Sequence, residues 1–144
     1  MLEHVEILWE RLKNHNFHVV YLVRDPRGIW NSRQPRGWCS WSKKCTDIRQ
    51  ICQEMRSDLE KFDKLKKIMK DKLILIKYED ITANDNYKEI LKNLLKNVSF
   101  PYNTAVDSFL QAHNNASVGH ILTDDPHSTF RVNSSVTAKL WMKQ

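Results

Sequence analysis

Two short apolar runs constrain this chain more than anything else in it. "HVVYLV", residues 18–23, and "KLILIKYED", residues 72–80, are rich in β-branched and aromatic side chains, the composition of strands. The first is continuous rather than alternating, which predicts a strand buried on both faces. Between the two, from about Ser42 to Lys70, the apolar positions Ile48, Ile51, Cys52, Met55, Leu59 and Phe62 keep helical spacing over several turns. Strands alternating with helices predict an α/β fold, a parallel sheet flanked by helices.

The remaining segments extend that pattern. "EHVEILWERLKNH", residues 3–15, places Val5, Leu8, Trp9 and Leu12 on one face of an amphipathic helix. After the first strand, Asp25 and Pro26 supply an N-cap and a first-position proline, so a short helix starts there. Residues 34–42, "QPRGWCSWS", form a loop with two tryptophans. "NYKEILKNLLKN" is a helix with Ile90, Leu91, Leu94 and Leu95 inward, opened by Asn86 and Glu89. "TAVDSFLQAHN", residues 104–114, is another, with Thr104 and Asp107 in capping-box spacing. From Ser117 onward the chemistry is that of loops until a helix near Val136–Lys143. Residues 1–144 therefore read as a single domain or part of one.

A net charge of +6 favours anionic partners such as nucleotide phosphates or acidic sugars. Nucleic acid is the poorer choice, because the charge is spread along helices and no nucleic-acid motif is present. The only glycines are Gly28, Gly37 and Gly119, so a Gly-rich phosphate loop of the Walker type is absent from this sequence. No apolar run reaches the roughly 18 residues of a membrane span, and no signal peptide opens the chain. Cys39, Cys45 and Cys52 lack a Cys-x-x-Cys pair, which argues against a structural zinc site, and no metal is expected. On one helix Cys45 and Cys52 would lie about 10 Å apart, beyond disulfide reach. A bond therefore requires Cys45 to precede the helix, or Cys39 to pair with Cys45 across the loop. Sequons stand at Asn97, Asn115 and Asn133; Asn97 and Asn115 are the glycosylation candidates.

In open parallel sheets, ligands sit outside the carboxyl ends of strands, where helix N-termini face anions. Arg24 occupies that position after the first strand, and Ser32 lies eight residues on. A guanidinium and a hydroxyl so placed can hold a phosphate through charge-assisted hydrogen bonds. The alternative is that Arg24 and Asp25 cap and pair at the strand exit.

"LVRDPRGIWNSR" resembles the 3′-phosphate-binding segment of sulfotransferases that use 3′-phosphoadenosine 5′-phosphosulfate (PAPS). More narrowly, it is similar to that of the Golgi carbohydrate 6-O-sulfotransferases acting on N-acetylglucosamine, galactose and related sugars. "ICQEMRSDL", "LILIKYEDI", "HNNAS" and "STFRVNSSVTAKLWMK" resemble later landmarks of that family, in order. The resemblance implies a sulfotransferase domain of P-loop-NTPase-like fold, PAPS as co-substrate, a glycan or glycosaminoglycan acceptor, and a type II protein of the Golgi lumen anchored by a segment not in this chain. It assigns Arg24 and Ser32 to the 3′-phosphate, and places Tyr78 near the adenine or else in the core. Arg131 and Ser134 would close over the nucleotide, although Val132 interrupts the family spacing there. The family's 5′-phosphosulfate loop has no counterpart, so the expectation is a domain incomplete at its N-terminus and inactive by itself. A non-catalytic remnant that binds nucleotide or glycan is the alternative.

No catalytic base emerges from His4, His15, His18, His113, His120 or His127. Trp38 and Trp41, with Arg33, Arg36, Lys43 and Lys44, form either a patch that meets a glycan or a solvated loop anchored by two tryptophans.

Overall fold

A computed structural model describes residues 2–34, 36–83, 87–114 and 139–143. They fall into two compact units, Met1–Ile76 and Lys77–Gln144. In the first, a 3-10 turn at Leu2–His4 leads into helix α1, Val5–Leu12, and then strand β1, Val19–Val23. Helices α2 (Pro26–Arg33), α3 (Lys43–Thr46) and α4 (Ile48–Met69) follow, and strand β2, Leu73–Lys77, comes after a 3-10 turn. β1 and β2 are neighbours in a two-stranded parallel sheet, consistent with an α/β fold.

The core lies between one face of this sheet, α4 and the amino-terminal turn. Leu2, Tyr21, Phe62, Leu65, Met69 and Leu73 are buried together, with Val5, Trp9, Val19 and Val23 packed against them. The Tyr21 and Phe62 rings stack 6.1 Å apart. Burial of these side chains against one another, at about 1.5–3 kcal/mol each, is what holds α4 on the sheet.

β1 is not covered on both faces. Val19, Tyr21 and Val23 turn inward with the two-residue strand period, while Val20 and Leu22 are 42% and 54% exposed. The long helix also differs from expectation. It is broken at Asp47, whose extended backbone and side-chain bond to the Arg49 N–H (2.9 Å) cap α4 and end α3. Aspartate serves a cap better than a helix interior. The buried stripe of α4 runs through Ile51, Phe62, Leu65 and Met69; Cys52 and Leu59 fall outside it and are exposed. Lys70, at φ 49°, then terminates the helix with a backbone that glycine takes more easily.

In the second unit, the "YED" expected at a strand end instead opens a helix, α5 (Tyr78–Ala83), with Glu79 and Asp80 in its first turn. Carboxylates are favoured there by the helix dipole. Helix α6, Tyr87–Asn97, keeps Ile90, Leu91, Leu94 and Leu95 partly buried, as the spacing predicts. It ends in a Schellman pattern: Phe100 N–H reaches the Leu95 carbonyl at 2.8 Å, Ser99 N–H reaches Lys96 at 3.1 Å, and Ser99 takes φ 58°. Helix α7, Thr104–Asn114, is capped one residue earlier than expected. Asn103, not Thr104, accepts the Val106 N–H at 3.1 Å. Asp107 instead accepts from the Tyr102 hydroxyl (2.7 Å) and pairs with Lys88 (3.2 Å). Those two partners hold Asp107 below the usual carboxylate range, and the same bond pushes Tyr102 up to about 12. A 3-10 turn spans Leu140–Lys143; Asn86 and the start of the helix expected near Val136 lie outside the described residues. Among the described residues no helix is long and apolar enough to cross a membrane.

Candidate functional site

The β1–α2 junction carries the site. β1 runs out at Val23, and Arg24 follows at its carboxyl end, partly buried. α2 starts two residues later, as Asp25 and Pro26 dictate. The Asp25 carboxylate accepts the Arg27 N–H at 2.9 Å, and Arg27 closes back on it through Nε (3.0 Å) and a terminal nitrogen (2.7 Å). The Arg27 side chain, with help from the Arg27 and Gly28 N–H groups, holds the Asp25 carboxyl below its ordinary range. Asp25 therefore caps α2, as the structural alternative has it, and pairs with Arg27.

One chemical consequence is immediate. The amide donors opening α2 already serve the chain's own carboxylate, so an anion at this junction would have to be held by side chains rather than by a bare helix terminus. Arg24 lines a small cavity of about 110 Å³ together with Tyr21, Ile29, Arg33, Glu54 and Asp58. That is less than a whole nucleotide needs, since small-molecule sites run to about 300–1,000 Å³, and Arg24 and Arg33 are matched in the lining by Glu54 and Asp58. Asp58 is already engaged: it accepts the Tyr21 hydroxyl at 3.3 Å and the Leu2 N–H at 3.1 Å. Burial first, then the Asp58 charge and bond, push Tyr21 up to about 12, so this phenol stays neutral.

Ser32 sits on α2, exposed, and is not among the residues lining that cavity. Tyr78 belongs to the other unit, where it is partly buried and its carbonyl accepts the Thr82 hydroxyl at 2.9 Å. Arg131, Ser134, Asn115 and Asn133 lie outside the described residues, whereas Asn97 is exposed at the end of α6.

Sequence reasoning missed the convergence of Arg33, Glu54 and Asp58 on Arg24. Glu54 and Asp58 stand four apart on α4, a spacing that puts them on one face, and that was the available signal. A second, open groove of about 630 Å³ runs between Pro26, Arg27, Ile48, Arg49, Cys52 and Arg56. Among the described residues no group of three His, Cys, Asp or Glu side chains is placed to hold a metal.

The loop after α2 is closed by a disulfide between Cys39 and Cys45, Cα atoms 5.4 Å apart, leaving Cys52 free. This resolves the pairing in favour of the cross-loop bond. Trp30 Nε1 donates to the Thr46 carbonyl at 2.7 Å and ties α2 to the far end of the loop.

A strand-end arginine beside a capped helix, in a parallel α/β unit, stands where open sheets commonly present ligand-contacting groups, outside the strand carboxyl ends. The chain is similar to carbohydrate sulfotransferase 1 of Mus musculus, 29% identical over 140 residues that cover 88% of this chain and 33% of the relative. The Rattus norvegicus protein of the same name is 28% identical over the same coverage. The chain thus spans about a third of the length of the curated relatives it matches. No protein-family model and no solved structure matches it. The similarity supports a sulfotransferase relationship, without selecting a subgroup.

Proposed function

We propose that this chain is part of a PAPS-dependent carbohydrate sulfotransferase and that Arg24 and Ser32 hold the 3′-phosphate of the nucleotide. The observation that carries the reading is Arg24 at the carboxyl end of β1, sharing a small cavity with Arg33, in a chain similar to carbohydrate sulfotransferases. Guanidinium is the preferred partner for a phosphate dianion because it is always charged and donates in a planar fork. The resemblance adds Ser32, exposed on α2 outside that cavity, as a neutral donor. Arg33 is the further cation, while Asp58, satisfied by Tyr21 and Leu2, competes less for the guanidinium groups than a bare carboxylate.

PAPS supplies the sulfuryl group when bound, and the acceptor is a sugar hydroxyl, the 6-O position of an N-acetylglucosamine- or galactose-type residue. This chain's residues bind and orient the nucleotide at its 3′ end; the family resemblance adds Tyr78 for the adenine and Arg131 and Ser134 as residues that close over the nucleotide. No base is assigned. The Cys39–Cys45 bond supports the Golgi lumen as the compartment, since disulfides persist where the environment is oxidising. Exposed Asn97 is the glycosylation acceptor that goes with it.

Isothermal titration of the purified chain tests the reading. Adenosine 3′,5′-bisphosphate should bind at least tenfold more tightly than adenosine 5′-monophosphate; equal affinities would count against a 3′-phosphate site.

A further inference from the structure

Trp41 is 90% exposed and Trp38 is 56% exposed, on a loop that is otherwise firmly built. Cys39 is fully buried and Cys45 nearly so, and their disulfide closes the loop from inside. Backbone bonds run through the whole turn: Cys39 N–H to Arg36 at 2.9 Å, Ser42 N–H to Cys39 at 3.1 Å, and Cys45 N–H to Ser42 at 2.9 Å. Ser40 adds a side-chain bond to the Gly37 carbonyl at 2.7 Å. The tryptophans therefore do not anchor a solvated loop; the cystine anchors it, and the tryptophans are held outward. An indole that served only folding would be buried, since its large apolar surface is costly in water.

The charge along this loop has one sign. From Arg33 to Lys44 the sequence carries Arg33, Arg36, Lys43 and Lys44 and no acidic residue. Among the described residues Lys44 pairs with Glu54 at 3.9 Å, both side chains largely exposed. Ser40 and Ser42 flank Trp41, so the tip is aromatic and hydrogen-bonding rather than continuously apolar. Serines on both sides of the indole suit a sugar chain, which offers hydroxyls to bond as well as a face to stack on, better than a hydrocarbon layer that offers neither. The C–H face of a pyranose ring presents partial positive charge to the negative face of an indole. Its hydroxyls bond to serines, and its sulfate or carboxylate groups pair with lysines.

We propose that the disulfide-closed loop from Arg36 to Lys44 is a docking platform for an acidic glycan, Trp41 stacking on a sugar ring and Lys43 and Lys44 pairing with its anionic groups. The inference rests on the sulfotransferase reading only for its role: in that setting the platform recruits an acceptor that already carries negative charge. Because the loop is pre-formed, binding loses little conformational entropy.

The test is surface binding of the full 144-residue chain to an immobilised chondroitin sulfate hexasaccharide, to the same hexasaccharide chemically desulfated, and to vesicles of phosphatidylserine. Binding should favour the sulfated sugar. Trp41→Ala should weaken it about tenfold and Trp41→Phe should recover most of the loss, a rescue that stacking predicts and loop damage does not. Lys43→Gln with Lys44→Gln should weaken binding and flatten its salt dependence. Titration of the Trp41→Ala chain with adenosine 3′,5′-bisphosphate should match wild type, which separates this platform from the nucleotide site. Glycan binding lost in Trp41→Ala would support the platform even if no nucleotide bound. Binding insensitive to Trp41, or preferential binding to the vesicles, would overturn it.

Discussion

Tyr21 on β1 donates its hydroxyl to Asp58 on α4 across 3.3 Å, and Asp58 also receives the Leu2 N–H. One carboxylate thus fastens the strand that delivers Arg24 to the long helix and to the amino-terminal turn.

Tyr21→Phe should therefore cost about 1.5 kcal/mol, the lower end for a hydrogen bond to a charged group, because this bond is long. Urea unfolding at pH 7 measures it. The alkaline limb gives a second reading. The folded pKa of Tyr21 is raised to about 12 above its unfolded value of 10.0, so its contribution is complete below 10 and is lost as pH rises through 12. Phenolate absorbance should show two late-titrating tyrosines, Tyr21 and Tyr102, and one fewer in Tyr21→Phe. An unchanged titration would assign the late phenol elsewhere.

Asp25 should matter more for α2 than for charge alone. Asp25→Ala removes the cap and should cost about 1 kcal/mol. Asp25→Asn keeps a capping side chain but loses the pair with Arg27, and should cost less. The folded pKa of Asp25 lies below the unfolded 3.8, so the charge-dependent part is present above 3.8 and lost as pH falls through the folded value. The stability gap between wild type and Asp25→Asn should accordingly narrow between pH 5 and pH 2, approximately the carboxylate range. A gap that widened on acidification would refute the pairing.

The sequence carried this much of the junction openly, because Asp-Pro after an apolar run is a helix start whatever the tertiary context. Both strands were equally legible from their β-branched runs. Other features depend on neighbours and were hidden. Glu54 and Asp58 look like an ordinary solvent-facing pair until β1 packs beside them, and only then do they join Arg24. Likewise, the apolar run of β1 says that a strand forms but not that Val20 and Leu22 stay exposed. Tyr78 was placed on a strand because nothing in "IKYEDI" breaks it; the acidic first turn that starts α5 is a weak signal beside that run. Exposed Trp41 was undecidable from composition, since tryptophan anchors cores as readily as it binds sugars.

The cross-loop disulfide predicts both a count and a cost. Of the three cysteines, only Cys52 should react with a thiol reagent in denaturant without reductant, and all three after reduction. Closing a loop of six-residue separation is worth about 2 kcal/mol on chain-entropy grounds. The Cys39→Ser, Cys45→Ser double variant should lose roughly that much against urea. Three reactive thiols before reduction would rule the bond out.

Calorimetric titration of Arg24→Ala against two nucleotides tests the central claim most directly. If Arg24 holds the 3′-phosphate, the substitution removes a charge-assisted bond worth about 1.5–3 kcal/mol, so affinity for adenosine 3′,5′-bisphosphate should fall roughly tenfold to a hundredfold. Affinity for adenosine 5′-monophosphate should stay near wild type, and Ser32→Ala should follow the same pattern with a smaller loss. If Arg24→Ala weakens both nucleotides equally, Arg24 is a structural residue of the strand exit and the phosphate assignment is wrong.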